Sequence, residues 1–195
     1  MRMRMKSRWR DKQRPRSLED NAIALAINAW RIALTCAKHL HEEGFRYESD
    51  EQRIAVIAEY LIFLVHWADR LALARMDAQE RERFTTTLVR QVARHIRENE
   101  EMMGLEPLPF FERLNEWTED YAEIPFEEAS AGYSALRYLA GKIQAIMGED
   151  QVNRWVADQI IDIDAPEAAQ NLKQAMDGLF GTTPHHGMMG VNLDD

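Results

Sequence analysis

Along most of this chain apolar residues return every three or four positions, the period of a helix that buries one face. Residues 54–76, IAVIAEYLIFLVHWADRLALARM, depart from that pattern by being apolar almost all round. A helix without a polar face is normally enclosed by other helices, so this stretch is expected at the centre of a bundle. Beyond the first 16 residues no turn-bounded stretch alternates with period two, and no sheet is expected.

Helix boundaries are punctuated by residues with a mechanical reason to be there. Ser17 with Asp20, Ser49 with Gln52 and Asp77 with Glu80 have the spacing of N-terminal caps, and Gly44, Gly104 and Gly148 are stops. Pro107 and Pro109 open a fourth helix of about 14 residues, which Pro125 breaks. A fifth helix is expected near 126–147 and a sixth near 151–163. Asp164, Pro166 and Glu167 read as the start of a separate last helix, with Leu172, Met176 and Leu179 on its apolar face. The expectation is an all-α protein: one domain, residues 17–181, of about seven helices around a central buried one. Residues 1–16 read as a flexible basic arm and 182–195 as a flexible tail. Alanines at 22, 26, 29, 33 and 37 let a neighbouring backbone approach helix one closely, and Trp30, Trp67 and Trp155 are expected to fill the wider gaps.

Composition narrows the setting. The 195 residues suffice for one sizeable core, and 46% hydrophobic with 29% charged is ordinary for a globular domain. A lone cysteine, Cys36, suits a reducing compartment, and no apolar leader follows the basic start, so a cytoplasmic protein is expected. In the central apolar stretch the run free of charge, 60–68, is nine residues, against about 20 for a membrane span. Eight Arg or Lys and one acid give residues 1–16 a charge of +7; with −9 for the whole chain, the remainder carries −16. Such a body repels nucleic acid, whereas the arm, with Trp9 among its cations, has the chemistry to bind it. The competing readings of the arm are an unstructured leader and a strap on the acidic body of this or a neighbouring subunit.

Within the central helix Glu59, Phe63, His66 and Arg70 fall on one stripe, with Asp69 beside it. Buried ionisable groups need partners. One reading is an internal salt-bridge network, with Arg31 or Arg94 supplying cations. The other is a site for a divalent metal or for acid–base chemistry, using Glu59, His66 and Asp69 with His95 from a facing helix. Three His-x-x-acid pairs occur, at His39, His66 and His95, but no Glu-x-x-His, the pair that ferritin-like di-iron bundles use. Cys36 and His39 share a helix face whose alanines suggest a core cysteine, and His185, His186, Met188 and Met189 in the tail form a weak soft-metal motif. A Gly-rich phosphate loop, a nucleophile elbow and a zincin motif are all missing. The balance favours a non-enzymatic interaction or scaffold protein needing no cofactor, a homodimer or the partner of another protein, with a metal-dependent bundle enzyme as the alternative. Four aromatic residues on helix four (Phe110, Phe111, Trp117 and Tyr121) exceed what one buried stripe requires, which motivates the dimer.

Overall fold

The computed structural model describes residues 16–124 and 131–181; almost all of the basic arm, residues 125–130 and the tail with its His/Met motif lie outside the described residues. Six helices and no strand are found among the described residues: α1 (Leu18–Glu42), α2 (Asp50–Leu73), α3 (Ala78–Met103), α4 (Phe110–Glu123), α5 (Tyr133–Met147) and α6 (156–180). None of them is long and apolar enough to cross a membrane.

The caps do what their spacing implies. Ser17 and Asp77 each close a reciprocal capping box with the acid three residues on, and Ser49 accepts from the Gln52 amide. Gly104 ends α3 at φ 69, a left-handed conformation that costs a side-chain-bearing residue more. At the far end the expectation fails. The sixth and seventh helices are one, in which Val156–Gln159 runs through a π-helical turn, Ile160–Asp164, into Ala165–Phe180. Pro166 has no N–H, and its ring crowds the carbonyl four residues back. The chain absorbs this by widening one turn, so that the Ala165 N–H reaches the Ile160 carbonyl, instead of ending the helix. Asp164 therefore caps nothing, and its side chain is free for another partner.

Sixteen residues of α2 are buried, and the helix packs against all five others. Alanines on α1 allow the close approach of α3 and α6 around it. Trp67 is buried and donates its indole N–H to the Ala169 carbonyl at 3.0 Å. Trp30 packs at the edge of the core, but Trp155 is 59% exposed, under the Arg154 guanidinium, and fills no gap.

The α1–α2 connection is pinned from a distance. Gly44 turns at φ 96, buried Phe45 donates back to the Leu40 carbonyl, and Tyr47 donates its hydroxyl to the Ala37 carbonyl at 2.8 Å. Asn153, itself 1% exposed, holds Arg46 by both backbone groups, at 3.0 and 3.1 Å, and also donates to the Met147 carbonyl.

Candidate functional site

The polar residues of α2 are distributed to separate partners. Glu59, with its side chain 4% exposed, receives the Arg113 guanidinium of α4 at 2.7 Å. Burial pushes the Glu59 carboxyl above its ordinary range, against the pull of Arg113. Asp69 takes both a nitrogen pair from Arg81 and the Thr85 hydroxyl, all from α3. Arg70 donates to the Tyr121 and Ile124 carbonyls at 2.7 and 3.1 Å, so it closes the C-terminus of α4, where unsatisfied carbonyls attract a cation. Neither Arg31 nor Arg94 takes part; Arg94 pairs with Glu98 on its own helix.

His66 lies flat against Tyr121, with ring centroids 4.7 Å apart, and Tyr121 in turn stacks on Trp117. Burial lowers the His66 pKa to about 4, so the ring is neutral at pH 7. Its Nε2 borders a void of about 10 Å³, close to the lower limit for one water. His95 is on α3 against Trp30, with ring centroids 5.9 Å apart, and burial lowers its pKa as well. Of the four metal candidates, then, Glu59 goes to α4, Asp69 to α3, His66 to an aromatic stack and His95 to α1. Among the described residues no group of three or more His, Cys, Asp or Glu is placed to hold a metal ion.

A pair that spacing alone does not reveal joins α1 to the π turn. His39 Nδ1 lies 2.5 Å from Asp164 Oδ1, and the Asp164 side chain is 2% exposed. The bond to Asp164 raises the His39 pKa, while burial raises that of Asp164. Glu43 approaches the other ring nitrogen at 3.5 Å. A ring with a carboxylate at each nitrogen is a clamp between α1 and the π turn. Cys36, one turn earlier, is buried and its thiol pKa is driven up by that burial, so it is not a poised nucleophile.

The opposite flank of α1 is open. A groove of about 870 Å³ runs between α1, the first turns of α2 and the end of α3. Trp30, Leu34, Tyr47, Ile54, Ile57 and Met103 supply its apolar walls, and Lys38, His41, Arg46 and Arg53, with one acid, Asp50, its rim. Leu34 is 41% exposed at the lip. At about 100° per residue, Met102 lies on the same flank of α3 as Asn99 and further out; it is 77% exposed. Arg53 bridges one end, to Asp50 at 2.8 Å and towards the Met103 sulfur at 3.9 Å, and Lys38 pairs with Glu42 along the surface. The Arg46 guanidinium has no partner among the described residues, although its backbone is fixed by Asn153. The groove is thus preformed, apolar inside and cationic at its rim, on a chain whose net charge is −9.

Comparison with protein-family models, with curated proteins and with solved structures returned no match. The groove residues carried a partial sequence signal. Trp30, Leu34, Lys38 and His41 follow helical spacing beside the buried alanine stripe, so a second stripe of large and cationic side chains was readable on helix one. The residues that complete the wall, Arg46, Asn99 and Met103, come from elements that only tertiary packing brings there.

Proposed function

We propose that this protein works by binding and not by catalysis, and that the α1–α2–α3 groove receives an acidic, apolar-bearing segment of a protein partner in the reducing interior of the cell. One observation carries the reading: an apolar groove rimmed by cations on an acidic molecule. Apolar floor and opposite rim charge are the two components of protein recognition, the first for affinity and the second for steering and register. The apolar surface continues past the groove at Leu34 and Met102, more than a small ligand seated in it would cover. The ionisable groups of the interior support the same reading, since Glu59 and Asp69 are each engaged by an arginine of the fold and Asp164 by the His39 ring.

Site-specific photo-cross-linking tests this in the full chain. A photoreactive residue at Leu34 is expected to capture protein, the same residue at exposed Gln79 at the start of α3 is not, and Arg46→Glu is expected to cut the yield several-fold. Equal capture at both positions overturns the reading. So does a small molecule retained in native mass spectrometry and displaced by Leu34→Glu.

A further inference from the structure

Helix α4 presents the chemistry that the groove lacks. Phe110, Leu114, Trp117 and Tyr121 form its buried stripe, so three of its four crowded aromatics belong to the core. Phe111 does not; it is 53% exposed. At about 100° per residue, Phe111, Asn115, Thr118 and Ala122 share one outward flank of α4. Glu112, Glu119 and Glu123 border that flank, all exposed, and none of their carboxylates has a partner among the described residues. Further round the same side of the helix Glu116 and Asp120 are already engaged, by Lys142 at 2.8 Å and by the Tyr138 hydroxyl. A bulky apolar side chain beside three uncommitted carboxylates matches an apolar groove with the unpartnered Arg46 at its rim, flanked by Lys38 and Arg53, which are paired on their own chain with Glu42 and Asp50.

We propose that the occupant of the groove is a second copy of this chain: Phe111 and the Glu112/Glu119/Glu123 flank of α4 dock into the α1–α2–α3 groove of the partner, and the partner's α4 docks reciprocally. This rests on the groove being a protein-binding surface and goes further by naming the partner. Both surfaces are present on every copy, and a two-fold axis uses both of them twice and closes the assembly. The docked α4 would present Phe111 to the apolar walls at the first turn, while its acids, spread over three turns, meet the rim. A copy held by only one such contact would leave a groove and an α4 open and would grow into a chain of subunits, so closure is part of the inference.

The basic arm is the less suitable occupant, because its +7 would face the cationic rim. The distinction is testable with the full chain by light scattering at tens of micromolar. The expected mass is twice the 22.7 kDa of one chain. Leu34→Glu and Phe111→Glu, each alone, are expected to halve it, because each spoils both reciprocal contacts. Mixed together, the two variants restore one contact, the intact groove of the Phe111→Glu chain against the intact α4 of the Leu34→Glu chain. A mixed dimer, weaker than the wild type, is therefore expected, and this recovery rules out misfolding as the reason each variant is a monomer. Association that grows without limit overturns the two-fold arrangement. A monomeric wild type overturns the second-copy inference, and a groove that still cross-links another protein at Leu34 then leaves the binding reading standing. A dimer that survives both substitutions, or a mixture that stays monomeric, overturns it equally.

Discussion

The interior of α2 and the groove beside α1 contain similar side chains put to opposite use. Along the inner length of α2 the charges are buried or half-buried and each is answered from within the fold: Glu59 by Arg113, Asp69 by Arg81, and Arg70 by the carbonyls that end α4. In the groove Leu34 is left exposed at the lip above half-buried Trp30, Tyr47 and Met103, and the Arg46 guanidinium has no partner among the described residues. A buried charge that is paired explains itself structurally, because removing either partner leaves the other stranded. An exposed leucine at the lip of a groove, beside an arginine with no partner among the described residues, has no such explanation within one chain. The difference is what favours the groove over α2 as the proposed binding surface, even though the unusual residues of the sequence are concentrated in α2.

Breaking the α2 side should have the largest effect. Arg113→Ala leaves a nearly inaccessible Glu59 without its cation and is expected to lower stability by about 3–5 kcal/mol. Replacing both, Glu59→Leu with Arg113→Leu, is expected to recover most of that loss, since two apolar residues leave no stranded charge. Chemical denaturation of the four species gives the coupling directly. A double variant no more stable than Arg113→Ala would show that the pair does more than satisfy itself.

Acid should expose the second interior effect. His66 has a folded pKa of about 4 against an ordinary 6.5, because burial disfavours its charged form. Below pH 6.5 the unfolded chain takes up a proton that the native ring refuses. Stability from this group is therefore complete above 6.5 and falls as pH drops towards 4, by up to about 3 kcal/mol. Glu59 runs the other way, since its raised folded pKa makes the native state the better proton acceptor there. His39, whose folded pKa is raised by the bond to Asp164, is also favoured by acid and loses its contribution as pH rises through that elevated folded pKa. The His66 component is isolated by His66→Phe, which keeps a ring against Tyr121. The variant is expected to flatten the pH dependence of stability between pH 4 and 6.5, and an unchanged slope would mean the ring is hydrated in solution.

These interior effects also mark what the chain discloses before folding. N-terminal caps act over three residues, so Ser17, Ser49 and Asp77 were readable at sight. The enclosure of α2 was readable too, because it needs only the apolar circumference. The partners were not, since Glu59 and Arg113 are 54 residues apart, and nothing local distinguishes Arg113 from the arginines on other helices. Pro166 misled for a physical reason: a proline within a helical pattern predicts a break, and a single π turn is the alternative that sequence rarely signals. His39 and Asp164 meet only because that turn carries the carboxylate inward. On the binding side, the stripe from Trp30 to His41 was visible, and the anchoring of Arg46 by Asn153 was not.

Asn153 connects the two halves of the comparison, because a buried polar group there shapes the open surface. Asn153→Ala removes a side chain that satisfies the Arg46 N–H and two carbonyls, and a loss of about 1–3 kcal/mol is expected. Hydrogen exchange should rise in the 43–49 connection while α2 stays protected. Uniform exchange throughout would mean the connection is held by Phe45 and Tyr47 alone.

The smallest effect on stability belongs to the groove itself, and it sharpens the contrast most. Leu34→Gln changes a side chain that is 41% exposed and touches no buried charge. Surface substitutions of this kind stay within about 0.5 kcal/mol. Its melting temperature in dilute solution should therefore match that of the wild type. Its association should not, because the groove loses apolar surface at its lip while every interior pair remains. A variant that melts normally and no longer associates would place the binding surface on α1. If Leu34→Gln instead lowers stability as far as an interior change does, Leu34 belongs to the core, and the distinction between the two regions fails at the residue on which it most depends.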